Sequence, residues 1–208
     1  MLRLGIALIA VAISATAQNS VLTYQYDNSR AGANMAELAL TKSNVETHTL
    51  SVLVDNEPGV LARVVGLFSG RGYNIESLTV AEVAHAEHLS RITIVTSGTP
   101  EAIEQISHQL ERLVPVHRVT DLTLSGPSIE RELAMVKVRG KGENRVEAMR
   151  LADAFRARVI DASTESFVFE LTGRPDKIDQ FVELMRPIGL VEVSRTGIAA
   201  ISRGPEQM

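Results

Sequence analysis

From His48 onward the apolar residues change period in a fixed order, and later the same order begins again; few folds accept such a pattern. His48 to Val54, H-T-L-S-V-L-V, alternates polar and apolar residues and is rich in β-formers, which predicts a strand. Asp55-Asn56-Glu57-Pro58-Gly59 breaks it, and Pro58 suits the first turn of a helix, where its missing N–H costs nothing. Val60, Leu61, Val64, Val65, Leu67 and Phe68 then recur at helical spacing until Gly70 to Gly72 stops the run. Asn74 to Val83 predicts a second strand, His85 to His88 a loop, and Leu89 to Thr96 a third strand. Pro100 and Glu101 open a helix carrying Ile103, Ile106, Leu110 and Leu113, and Val114 to Leu124 supplies a fourth strand. The order β-α-β-β-α-β is the split βαβ arrangement of a ferredoxin-like domain.

Ser125-Gly126-Pro127-Ser128 reads as a linker. Beyond it, Glu132 to Arg139 predicts a strand, Asn144 to Ala157 a helix, and Val159 to Ala162 and Glu165 to Leu171 two strands. Pro175 to Met185 predicts a helix and Leu190 to Ser194 a final strand. The fold class expected is α+β, two ferredoxin-like βαββαβ domains, at 48–124 and 131–204, with a linker at 125–130 and a tail at 205–208.

Composition narrows the function classes. Aromatic residues make up only 4% and Trp is absent, so the core must be aliphatic, and the base-stacking aromatics of an RNA-binding sheet are missing. The formal net charge of -4 gives no electrostatic reason to expect nucleic acid. Cysteine is absent, which removes disulfides, thiol catalysis and Cys-based metal sites together. His85 and His88, with Glu82 and Glu87 nearby, are better read as a solvated loop than as a metal site. Gly140-Lys141-Gly142 lacks the rest of a phosphate-binding fingerprint. Arg139, Lys141, Arg145 and Arg150 read as a solvated basic face. No catalytic constellation stands out.

The informative stretch is Asp55 to Leu61. Backbone amides at a helix start lack intrahelical acceptors, and the helix dipole there favours negative charge. A ligand carboxylate can rest on the amides of Gly59, Val60 and Leu61. Gly59 permits close approach, and Asn56 offers both a donor and an acceptor. The same element also reads simply as a turn with a good helix start, and Asn74 as a turn residue. The local sequence leaves both readings open.

L-S-V-L-V-D-N-E-P-G-V-L-A-R-V-V-G-L-F-S-G-R-G-Y-N-I-E-S-L-T-V-A, Leu50 to Ala81, resembles the ACT domain of bacterial acetolactate synthase small subunits. The resemblance continues through L-S-R-I-T-I-V-T at Leu89 to Thr96 and I-E-R-E-L-A-M-V-K-V at Ile129 to Val138. It closes with V-E-V-S-R-T-G-I-A-A-I-S-R-G, Val191 to Gly204. It implies a cytoplasmic regulatory chain, with no active site and no cofactor of its own. Such a chain activates a large catalytic subunit carrying thiamine diphosphate, magnesium and FAD, and confers feedback inhibition by valine on branched-chain amino acid synthesis. It further implies a homodimer through ACT domains, with the effector held by Asn56, Gly59, Val60 and Leu61 of one chain and Asn74 and Ile75 of its partner. A free-standing amino-acid sensor with another protein client is the alternative.

The amino terminus stands apart. Met1 to Arg3 is basic, Leu4 to Ile13 apolar, and Ala15-Thr16-Ala17 resembles a cleavage site, so the start is signal-like. The apolar run is too short to span a bilayer. Gln18 to Asn44 is polar and nonperiodic, which predicts a loosely attached segment. Met35 offers a second start, and residues 1–47 are expected to be an extension outside the family pattern, signal-like or mis-assigned.

Overall fold

The computed structural model describes residues 45–205, so the expectations for 1–44 and 206–208 lie outside the described residues. Strand β1 (Glu46–Asp55) is followed by α1 (Val60–Arg71), β2 (Ser77–Ala84), a 3-10 turn (His85–Glu87), β3 (Leu89–Gly98), α2 (Pro100–Glu111) and β4 (Val116–Asp121). These strands form an antiparallel sheet in the order β2-β3-β1-β4. The second half gives β5 (Ser128–Arg139), α3 (Glu143–Phe155), β6 (Arg158–Ala162), β7 (Ser166–Gly173), α4 (Pro175–Gly189) and β8 (Leu190–Arg195). Its sheet runs β6-β7-β5-β8, the same order, and a short β9 (Ala199–Ser202) pairs with the start of β5. The expected α+β architecture of two βαββαβ units is the one observed.

Each sheet buries one face under its two helices. In the first, Leu50, Val52 and Val54 alternate along β1 and meet Val64 and Phe68 of α1 and Ile106 and Leu110 of α2. In the second, Val136 and Val138 meet Phe169, Ile178 and Phe181. Burying such a side chain stabilises the fold by about 1.5–3 kcal/mol.

The helix ends follow from local chemistry. Gly72 sits at φ 73, the Tyr73 amide donates to Phe68 O at 3.0 Å, and the Gly72 amide donates to Ser69 O at 3.3 Å. That is a Schellman stop, completed by the edge-on Phe68–Tyr73 ring contact. Thr99 caps α2, its hydroxyl accepting from the Ala102 amide at 3.4 Å. The Glu101 carboxyl lies below its usual range because its own backbone amide, and then Thr99, bonds to it. Thr99→Ala is therefore expected to lower stability by about 1 kcal/mol. Urea unfolding would read this as a lower midpoint at unchanged slope.

Four details differ from the sequence reading. Pro58 lies in the turn before α1, because Gly59 at φ 87 is the N-cap residue. Asn74 does not open β2 but precedes it by three residues. Helix α4 runs through Pro187 to Gly189 instead of ending at Met185. So near the helix end Pro187 removes one intrahelical bond only, buried Ile188 gains a place in the core, and Asn144 Nδ2 donates to Ile188 O at 3.1 Å. Finally, Ser128 to Arg131, partly read as linker, are strand, paired with a β9 that the sequence did not suggest.

That pairing matters beyond bookkeeping of elements. The ribbon of β5 and β9 lies against the helix-free face of the first sheet, where Thr49, Ser51 and Thr93 are buried although polar. Thr49 Oγ1 donates to Glu130 at 2.8 Å across this contact. The two halves are joined through it.

Candidate functional site

The loop after β1 is pinned from the strand side. The Asp55 amide donates to Pro115 O at 2.9 Å and the Asn56 amide to His88 O at 2.6 Å. The Asp55 carboxylate lies 2.6 Å from His117 Nε2. Gly59 then turns the chain into α1 with its left-handed φ, a conformation that side chains resist. The Arg63 amide closes the first turn onto Gly59 O at 3.0 Å, and the Val60 amide makes a long 3.4 Å bond to Glu57 O. No acidic residue occupies this first turn, so nothing in the helix itself offsets the positive end of the dipole. Asn56 and Gly59 are exposed, Leu61 is 41% exposed, and Val60 points into the core. The loop offers amides, a carboxamide and one apolar side chain to solvent, which suits a small carboxylate with an aliphatic group.

Asn74 and Ile75 lie elsewhere. They follow the Schellman stop, at the opposite end of α1 from Gly59. Twelve residues of helix separate the two ends by about 18 Å. Thr96 Oγ1 donates to Asn74 O at 2.6 Å and the Glu76 amide to Val95 O at 2.8 Å, so this segment is held against β3. The Asn74 side chain is exposed, and Ile75 rests half-buried on the core. Within one chain the structure does not bring Asn74 and Ile75 to the Asn56–Leu61 loop.

A third feature escaped sequence reasoning. The residues after β8, Thr196 to Ile198, cross to β2 immediately beyond the Asn74–Ile75 segment. The Ile198 amide donates to Ser77 Oγ at 3.1 Å, and Thr79 Oγ1 makes a long 3.4 Å bond to Thr196 O. Gly197, at φ 82, approaches so closely that a Cβ would stand 2.8 Å from both Ser77 Oγ and Thr79 Oγ1. Behind the crossing, Arg195 clamps buried Glu132 with Nε at 2.8 Å and Nη2 at 2.5 Å, and reaches Asp179 with Nη1 at 2.6 Å. The only local signal was the R-T-G-I tetrapeptide, whose glycine has no turn of its own to explain it.

Residues 50–118 match the family described as the AHAS small subunit-like ACT domain, and residues 131–204 that described as the small subunit of acetolactate synthase. The acetolactate synthase small subunit of Mycolicibacterium smegmatis is 43% identical over 159 residues, spanning 76% of this chain and 92% of that one. The isozyme 3 small subunit of Salmonella typhimurium is 46% identical over 160 residues, spanning 76% and 97%. The chain belongs to the acetolactate synthase small-subunit family. A crystal structure of the small subunit from Thermotoga maritima aligns with a TM-score of 0.70 at 40% identity, over 77% of this chain and 99% of that one.

As an acetolactate synthase small subunit the chain is regulatory and non-catalytic, it serves branched-chain amino acid synthesis, and its counterpart is a large catalytic subunit. The side groups set aside in the sequence are engaged locally. His85 Nδ1 meets Glu82 at 2.9 Å on an exposed turn, and no three metal-ligating residues converge among the described residues. Lys141 pairs with Glu165 at 2.7 Å and Arg150 with Glu147 at 2.9 Å, while Arg145 stacks 3.9 Å above the Phe167 ring. Among the described residues no helix is long and apolar enough to cross a membrane.

Proposed function

We propose that this small subunit binds valine between the ACT domains of two copies and thereby controls a catalytic subunit in the cytoplasm. In this reading the ligand's carboxylate rests on the amides at Gly59, Val60 and Leu61, and Asn56 orients it. Asn74 and Ile75 of the second copy close the pocket. The observation that carries the reading is the separation along α1: two half-sites about 18 Å apart cannot share one small amino acid within a chain. Strand β2 supports it as an edge of the sheet among the described residues, with Val80 43% exposed. Hydrogen bonds to the charged carboxylate contribute about 1.5–3 kcal/mol each. Valine regulates only if it binds the inhibited arrangement more tightly than the active one. Thiamine diphosphate, magnesium and FAD belong to the catalytic subunit in this reading, and none is assigned to residues of this chain.

The test is acetolactate formation by the matching catalytic subunit across a valine titration. Stimulation by this chain, reversed by valine, is expected. Gly59→Asp puts a carboxylate where the ligand's should sit, in open space with no atom beyond the neighbouring residues of the chain within 4 Å of the added Cβ. Loss of valine inhibition with activation retained is the expected outcome. Gly59→Asn, which shares the tolerance of positive φ but carries no charge, should keep more of the valine response. Equal responses in wild type and Gly59→Asp would reject the pocket.

A further inference from the structure

We infer that this chain carries a second small-molecule site, for an aliphatic carboxylate without an amino group, between the helix-free face of the first sheet and the β5–β9 ribbon. On this face the ribbon contacts β1, and Thr49, Ser51 and Thr93 are buried while Ala81 and Val83 of β2 are exposed. This leaves a cavity of about 320 Å³, within the size range of small-molecule sites. Ala81 and Val83 of β2 line one side, and Ile129, Ala199 and Ile201 of the ribbon line the other. Val83 and Ile201 stay about half exposed there, so apolar surface remains for a ligand to cover.

Two arginines contribute to the lining of this mostly apolar space. Arg91 reaches it from β3 and Arg131 from β5. Arg91 Nε is buried and has no hydrogen-bond partner, and Arg131 donates only to the carbonyl of Glu130, at 2.7 Å. Among the described residues neither forms an ion pair and no Asp or Glu lines the cavity. Arginine keeps its charge at any workable pH, and a buried donor left without a partner is costly. A carboxylate is the anion that fits, because its two oxygens match the guanidinium fork. The Thr93 hydroxyl at the cavity wall can donate to a second oxygen, as in a 2-oxo acid.

The same lining selects against valine. An α-ammonium would enter a cavity with two cations and no acid to receive it. The site therefore differs in chemistry from the Gly59 loop as well as in position, and it does not depend on that loop binding anything.

Calorimetric titration of the full chain with 3-methyl-2-oxobutanoate, 3-methylbutanoate and valine tests the idea. Both acids are expected to bind wild type. Arg91→Gln should weaken them about tenfold or more. Ala199→Phe, which fills the cavity and leaves both arginines in place, should abolish binding, with melting curves confirming that each variant is folded. Gly59→Asp should leave acid binding unchanged while removing that of valine. No binding of either acid overturns the site, as does equal binding to Arg91→Gln and Ala199→Phe. Acid binding lost in Gly59→Asp would assign the acids to the effector loop and also overturn it. Valine binding that fails in every variant counts against the proposed function alone.

Discussion

Replacing Arg195 by leucine is expected to cost the fold about 2–4 kcal/mol. Glu132 ends the inward-facing row of β5 and is 4% exposed, so its charge has almost no water. Arg195 provides the compensation with a two-pronged hydrogen bond, and Asp179 of α4 holds the guanidinium from its other side. The bond to Glu132, opposed by burial and reinforced by Asp179, pushes the Arg195 pKa up. A raised pKa on a cation means stability lost only as pH climbs through that value, far into alkali, so the arginine stays charged across any workable range. Removing one member of a buried pair costs about 3–5 kcal/mol because the other charge is left alone. Arg195 is itself 36% exposed, and water entering its vacated space trims that figure. Adding Glu132→Leu to Arg195→Leu should restore most of the loss, since no charge then remains buried. Denaturant unfolding of the single and double variants measures both numbers. A single variant within about 0.5 kcal/mol of wild type would mean the clamp acts as an ordinary surface pair.

Gly197→Ala is expected to cost about 2 kcal/mol and to loosen the second domain from β2. Part of this is backbone strain at φ 82, about 1–2 kcal/mol for a residue with a Cβ. The remainder is contact: the new methyl would stand 2.8 Å from Ser77 Oγ and Thr79 Oγ1 and must push them aside. Gly72→Ala is the matched control, at φ 73 with nothing within 4 Å of its Cβ. The excess of Gly197→Ala over Gly72→Ala isolates the crossing. Amide exchange should rise at Ile198, whose N–H is held by Ser77 Oγ, and along the start of β2. Equal costs for the two variants, with exchange unchanged at Ile198, would show that the crossing holds nothing together. Ser77 and Thr79 lie just beyond Asn74 and Ile75, so this contact also joins the proposed effector segment to the second domain by a continuous path.

Much of this architecture is legible in the residues alone. Strict alternation in L-S-V-L-V and the helical spacing of Val60, Val64, Leu67 and Phe68 are local properties, set by which face each side chain must turn inward. Gly72 announces the end of α1 for a reason equally local, the positive φ that a helix stop requires. Helix length then separates the two proposed half-sites without any tertiary information. Asn56 to Leu61 could be singled out for the same reason, since a helix start exposes its amides wherever it occurs.

What lay beyond the sequence depends on partners distant along the chain. Nothing near Ser128 says that it is strand, because its partner in the ladder is Ser202. Ala199 to Ser202 is too short a run to declare itself, and it becomes β9 only once β5 is beside it. Glu132 reads as a misplaced charge on a buried face until Arg195, 63 residues away, closes on it. Gly197 looks like a spare glycine until Ser77 and Thr79 are seen against it. The sequence by itself determined the two βαββαβ units and the open amides at Gly59, because periodicity and backbone chirality act within a few residues. Only the tertiary structure decided how the units are joined and that Arg91 and Arg131 line one cavity, because burial and charge pairing are settled by whatever the fold brings within a few ångströms.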